Sequence, residues 1–415
     1  MGTLLSSPQG DIFIESRQLG SLPVVIPPNA MYNSCSDKGV TLFLKDASRT
    51  AIVDAAVSLK PGETDVILVF LGEKSGVDVE KLIQELKKKK VVFAGGIFPG
   101  LISDGRKHDA GAILMKVRAS AKPLAITGLK SELFSLPASV QEASRRVTDH
   151  NTALVLVDGF APNISALLGD LFNTFGSTVH YFGGGAGFSS LKQQPCLFTA
   201  DGFFENAALV VFLRTNSSLG VRHGWTRLAG PVVATKARHN ILSQLNWQDA
   251  FSVYRELVAR DSGRRLTRDN FSTVAAGYPF GIIKEGAEDS VRDPLSVNAK
   301  GEILCVGEIP ENAVLNILKG DCASLLAAAI QAAEDCTKGT SGKARQSFVF
   351  DCVSRSLFAG DEFSKELAAV EKTIMSKGGR TSPEGVLSIG EICSYGEGFL
   401  DFFNKTIVVG TLCDA

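Results

Sequence analysis

The chain has 415 residues, room for two or three domains, and 45% hydrophobic against 21% charged residues excludes a disordered polypeptide. A formal net charge of −1 leaves no basic surplus to neutralise phosphates, so neither a general nucleic-acid surface nor a membrane-binding one is expected. Eight cysteines are scattered without a Cys-x-x-Cys pair, which fits neither a zinc site nor a secreted disulfide scaffold; reduced core thiols in the cytoplasm are expected.

A strand–helix–strand unit recurs three times along the chain. The first copy opens with the β-branched run Asp65–Leu71, suited to a strand buried on both faces. Val79, Leu82, Ile83 and Leu86 then fall on one helical face, with Lys87–Lys90 placed where cations favour the helix dipole. Val91–Gly96 returns as a strand ending in glycines, and Ala110–Val117 closes the copy. The second runs from Ala153–Asp158 through helix Asn163–Phe175 to Val179–Gly185, and closes with Ala207–Leu213. Between copies two and three, residues 240–260 predict a helix and Asn312–Leu318 a short helical segment, followed by the alanine-rich helix Ala323–Ala333. The third copy is Ser347–Cys352, helix Asp361–Met375, Val386–Glu391 and Thr406–Val409. Strands joined through a helix of this length pair in parallel. The expected fold is therefore α/β with two domains, their mixed, mostly parallel sheets covered by helices.

Gly183–Gly187 follows a strand, but a dinucleotide loop needs a helix directly after it, and Phe188–Pro195 is loop-like. Gly339–Lys343 lacks the spacing of a phosphate-binding loop, and neither Gly-x-Ser-x-Gly nor His-Glu-x-x-His occurs. Three clusters carry more chemistry. Arg222-His-Gly-Trp225 puts a cation, an imidazole and an indole around a glycine, able to hold an anionic or planar ligand. Ser290-Val-Arg-Asp-Pro294 sets Arg292 beside a rigid turn. Asp351-Cys-Val-Ser-Arg355 places Asp351, Ser354 and Arg355 at the carboxyl end of a strand, where ligands of open sheets settle, and Glu391 ends the partner strand. A salt-bridged loop is the plain alternative for each arginine.

These clusters, in this order, resemble the FIST family of sensory domains. Val179–Gly187 and Asn206–Leu213 are similar to its N-terminal domain. Its C-terminal domain is resembled by Arg222–Trp225, Gly230-Pro, Val233–Asn240, Arg292–Leu295, Gly307–Pro310, Phe350–Arg355 and Ile389–Ile392. The resemblance implies a lead segment over 1–29, a FIST N-terminal domain over 30–215 and a FIST C-terminal domain over 216–415. It also implies a cytoplasmic, non-membrane sensor of a small ligand, an amino acid or similar small carboxylate. The candidate ligand-binding set is Arg222, His223, Trp225, Asn240, Arg292, Asp351, Ser354, Arg355 and Glu391, with no catalytic residue, metal or cofactor. Output is expected through a separate signalling partner such as a histidine kinase or cyclase. Two alternatives stand beside this reading. One is a haem-binding nitric-oxide sensor that regulates a histidine kinase, with His223 as axial ligand. The other is a hydrolase-type enzyme acting on a small carboxylate or amide.

Overall fold

The computed structural model describes residues 5–6, 12–13, 30–32, 41–144, 152–284, 288–338, 344–379, 381–395 and 399–413. Two short strands, β1 (Leu5–Ser6) and β2 (Ile12–Phe13), pair with each other, and β3 (Ala30–Tyr32) edges the first large sheet. That sheet is built from the first unit: β4 (Thr41–Leu44), α1 (Arg49–Ser58), β5 (Asp65–Gly72), α2 (Val79–Lys88), β6 (Phe93–Phe98), the hairpin β7–β8 (Gly100–Ser103, Arg106–His108) and β9 (Ala112–Arg118). The second unit has the same plan: β10 (Leu124–Thr127), α3 (Ala138–Ser144), β11 (Thr152–Asp158), α4 (Ile164–Phe175), β12 (His180–Ala186), the hairpin β13–β14 (Leu197–Thr199, Gly202–Phe204) and β15 (Ala207–Leu213).

The third unit starts with β16 (Asn216–Arg222) and is interrupted at once by an inserted segment. The insertion contributes β17 (Thr226–Val233), β18 (Lys236–Arg238), β19 (Ile241–Leu245), β20 (Gln248–Asp249), α5 (Ala250–Ser262), α6 (Phe271–Ala275), β21 (Phe280–Ile282), β22 (Ser290–Val297), β23 (Ile303–Val306) and β24 (Val314–Lys319). These strands form their own antiparallel sheet, on which α5 and α6 pack through Phe251, Tyr254, Val258 and Phe271. The third unit then resumes with α7 (Cys322–Asp335), β25 (Ala344–Cys352), α8 (Val353–Ala359), α9 (Phe363–Ser376), β26 (Glu384–Ser388), the hairpin β27–β28 (Glu391–Tyr395, Phe399–Phe403) and β29 (Ile407–Cys413).

In each unit the first long strand pairs in parallel with the glycine-bearing strand and antiparallel with the closing strand. Only these three pairs, β5–β6, β11–β12 and β25–β26, are parallel among the described residues. The expectation of mostly parallel sheets is therefore corrected: hairpins and closing strands, which can join neighbours directly, make the sheets largely antiparallel. Asn312–Leu318 is likewise corrected from helix to strand, because β24 is paired on both sides. Residues 240–260 divide into the hairpin β19–β20 and α5 rather than one helix.

The free edge of each glycine-bearing strand takes a hairpin from another unit. β13 joins β6, β27 joins β12, and β7 joins β26, so the exchange closes into a ring. Alternation in β5 shows why the sheets meet. Leu68 and Phe70 face a shared core with Leu154, Leu156, Phe182, Phe348 and Phe350, while Ile67, Val69 and Leu71 face α1 and α2. At the centre, Phe70 of the first unit and Phe182 of the second stack edge-on against Phe350 of the third, at 6.3 and 6.1 Å. The glycines make this approach possible. A Cβ on Gly183, whose φ is 152°, would overlap Val155 O of the neighbouring strand, and one on Gly385 would overlap Val349 O.

Candidate functional site

Each unit places the carboxyl end of its first strand at the start of a helix, and the three ends differ. At the third, Arg355 is wholly buried on α8. Its Nη2 donates to Glu366 Oε1 at 2.8 Å and Nη1 to His223 O at 2.5 Å, while Nε stands 3.2 Å from Asp351 Oδ1. Looser bonds reach Leu325 O and Lys405 O, at 3.3 and 3.4 Å. Trp225 Nε1 donates to Lys405 O at 2.9 Å, and the Lys405 ammonium lies 4.9 Å from the centre of the indole ring. That ammonium also pairs with Asp293 at 3.2 Å, and Ser354 hydrogen-bonds the same carboxylate. Glu391 accepts from Ser388 Oγ at 2.7 Å and Thr406 N at 3.2 Å.

Eight of the nine predicted residues therefore lie in or beside one knot. Arg222 is at its edge, paired with Asp335, and Arg292 lies beside it on the insertion, next to Asp293, and bonds Phe402 O of the third unit. Burial and the neighbouring Glu366 carboxylate push the Asp351 acid well above the usual range, and burial raises Glu391 in the same direction. Burial, with the Glu391 charge beside it, pushes the Cys352 thiol up to about 12, so it lacks the thiolate that a hydrolase nucleophile needs. Burial and the Arg355 charge hold His223 down at about 4, hence neutral. Its Nδ1 accepts from Trp225 N at 2.9 Å, its Nε2 stands 3.8 Å from the Glu288 carboxylate, and it lines neither cavity described below. This surrounding does not fit axial ligation of a haem. Among the described residues no group of three His, Cys, Asp or Glu side chains is arranged to hold a metal.

The second strand end is open. Asp158 closes β11, and its carboxylate accepts from Phe160 N at 3.1 Å, Gln193 Nε2 at 2.7 Å and Asn206 N at 2.6 Å, fixing the loop that follows. Beyond it lies a cavity of about 560 Å³ between residues 159–165 of the second unit and the insertion. Its apolar surface comes from Phe160, Ile164, Leu295, Leu304, Val306 and Phe402. Its polar groups are few. Asn163 sits in the left-handed region with φ 64° and turns its carboxamide away, donating to Leu129 O and Ser131 O at 2.9 and 2.8 Å. No side chain caps α4, whose first residues, Ile164 and Ser165, line the cavity. The rim carries Glu308 and His239, 3.9 Å apart.

Asn240 is the ninth predicted residue and the one that lines this cavity; its Nδ2 donates to Cys305 O at 3.1 Å. Arg292 braces the same wall from behind, donating to Glu308 O at 2.8 Å and to Phe402 O at 3.0 Å. Sequence reasoning missed Glu366, Lys405, Asp158, Asn163, His239 and Glu308. His239 and Glu308 did fall within Val233–Asn240 and Gly307–Pro310, two of the stretches that resemble the FIST C-terminal domain.

No helix among the described residues is long and apolar enough to cross a membrane. No curated protein matches the chain. Among solved structures, phosphoribosylformylglycinamidine synthase II from Thermotoga maritima is 10% identical and has a TM-score of 0.19. That comparison covers 93% of this chain and 74% of the other, and the similarity is too low to bear on fold or function. FIST domains are associated with sensory small-ligand binding in signal transduction. The FIST N domain matches residues 65–248 and the FIST C domain residues 250–394, between them most of the length, and the chain belongs to the FIST family.

Proposed function

We propose that this protein is an intracellular sensor whose small ligand sits in the 560 Å³ cavity between the second unit and the insertion. It would pass its signal to a separate partner such as a histidine kinase or cyclase. One observation carries the reading. The cavity has the size of a small-molecule site, and its two walls belong to different sheets, so an occupant would touch both. The chemistry favours an amino acid or small carboxylate with an apolar body. A carboxylate suits the uncapped start of α4, the apolar walls suit the body, and Glu308 suits an ammonium. In this reading Asn240 touches the ligand and Arg292 positions the wall. Arg222, His223, Trp225, Asp351, Ser354, Arg355 and Glu391 hold the frame.

A thermal-shift panel of amino acids and small carboxylates tests it. A compound at 100 times its Kd should add about 2.7 kcal/mol of stability. Val306→Trp, which fills the cavity, should abolish the shift, and Glu308→Gln should weaken it for ligands bearing an ammonium. A panel without any active compound, or a shift that survives Val306→Trp, would sink the proposal.

A further inference from the structure

The segment 188–195 runs between two cavities and is pinned from two units. At one end, Ser189 N donates to Glu73 Oε2 of the first unit at 2.7 Å, and the Ser189 hydroxyl donates to Glu73 Oε1. At the other, Gln193 Nε2 donates to Asp158 Oδ2 at 2.7 Å and to Asn206 Oδ1 at 3.0 Å. Leu191 stands between these attachments and lines the larger cavity, although half of its surface is exposed. Its φ of 57° is a conformation that a leucine adopts only when its surroundings impose it. On the opposite flank, Phe188, Gln194, Pro195 and Glu73 itself line a second cavity of about 360 Å³ at the end of β5.

We infer that 188–195 is a gate on the larger cavity, with Glu73 of the first unit as its latch; this rests on reading that cavity as the ligand site. Three features support it. The bonds to Glu73 and Asp158 are charge-assisted, hence the strongest that so exposed a segment makes. Opening releases the left-handed leucine, so the closed form depends on the latch rather than on the loop's own preference. The smaller cavity gives the strap space to move without displacing packed core. Leu191 then sets which ligand bodies fit, and whatever draws Glu73 away from Ser189 changes access from a different unit.

A thiol placed on the cavity wall by Val306→Cys reports on this without any ligand, because Val306 lines the larger cavity. Labelling of the full chain with N-ethylmaleimide, mapped by peptide mass spectrometry, is compared among Val306→Cys alone and Val306→Cys combined with Glu73→Ala or with Leu191→Gly. Cys393, fully buried and lining neither cavity, is the internal control. Glycine accepts the Leu191 backbone angle, so the second combination opens the wall without strain. Labelling at position 306 should rise about tenfold with Glu73→Ala, the factor expected when charge-assisted hydrogen bonds of a closed form are lost, and should rise with Leu191→Gly because the covering side chain is gone, while Cys393 stays protected. Unchanged labelling at position 306 in both combinations overturns the gate, as does a rise in which Cys393 keeps pace in both. Because the readout needs no ligand, its failure is separable from an inactive thermal-shift panel.

Discussion

Asp351→Asn and Arg355→Met alter the same buried knot and should have opposite consequences. Arg355 touches two carboxylates, Glu366 at 2.8 Å and Asp351 at 3.2 Å. Burial, then the Glu366 charge, pushes the Asp351 acid well above its ordinary range, and Arg355 draws it only part of the way back. A hydrogen bond between the Asp351 and Glu366 carboxyls raises it further, because such a bond needs a proton on one of the two acids. A carboxyl whose folded pKa is raised contributes stability that is fully present below its unfolded value, about 3.9, and is lost as pH rises through the folded value. Asparagine keeps the volume and cannot ionise. Asp351→Asn should therefore stay within about 1 kcal/mol of wild type at pH 5 and gain on it toward pH 8. Arg355→Met leaves Glu366 buried without its cation, a break that costs about 3–5 kcal/mol, a large share of a typical total of roughly 5–15. Urea unfolding at pH 5, 6.5 and 8, followed by two probes, measures both. If Asp351→Asn costs as much as Arg355→Met at pH 8, Asp351 is the charged partner of Arg355 and the reasoning fails.

His223 is held down at about 4 by burial and by the Arg355 and Arg222 charges, so its contribution is present above its unfolded value of about 6.5 and is lost as pH falls through 4. His223→Gln should flatten that acid limb, by up to about 3 kcal/mol; a limb of unchanged slope would show that other groups produce it. Glu384 is buried with Oε2 unpartnered, and burial raises its acid well above the usual range. Glu384→Gln should gain on wild type only above pH about 4.3, which the same urea series reads. Gly385→Ala should cost more than about 3 kcal/mol because its Cβ meets the Val349 carbonyl, whereas Gly169→Ala, on an open face of α4, should add about 0.4–1 kcal/mol; equal melting temperatures would contradict both.

The parts of the fold written in local pattern were legible. Asp65–Leu71 and Val79–Leu86 appear in the structure as β5 and α2, because alternation and helical spacing are properties of neighbouring residues. The exchange of hairpins was not, since nothing within Leu197–Thr199 says that its partner is Gly95 rather than a strand of its own unit. Asn312–Leu318 failed for a related reason: a short apolar run reads either way until its neighbours on both sides are known. At the knot, sequence found the right residues for contact with one another. A guanidinium with two acids looks the same in sequence whether it faces solvent or is fully buried, so Asp351 and Arg355 could not be told from an open ligand clasp. His239, Glu308 and Asn163 are individually ordinary, and only the approach of the insertion to the second unit makes them neighbours.

That approach also accounts for why charge concentrates at the third strand end and not at the other two. The insertion leaves the third unit through His223–Trp225 and re-enters it through Gly320–Leu325. Arg355 bonds His223 O on the way out and Leu325 O on the way back. A Cβ on Gly320 would fall inside the Trp225 ring, so the two crossings are packed against each other as well as bonded to the arginine. A neck of this kind buries carbonyls that lie outside any strand or helix, those of His223 and Lys405, and a five-donor guanidinium reaches both as well as Leu325 O at the start of α7. Its charge then demands a carboxylate, which Glu366 supplies, with the Asp351 acid beside it. The first and second strand ends carry no insertion, need no such staple, and open instead onto cavities of about 360 and 560 Å³. In the third unit the charged residues mark where the insertion is fastened. A ligand that bridged the 560 Å³ cavity would fasten the same insertion at a second point, to the second unit, and the neck would be the fixed end against which that closure acts.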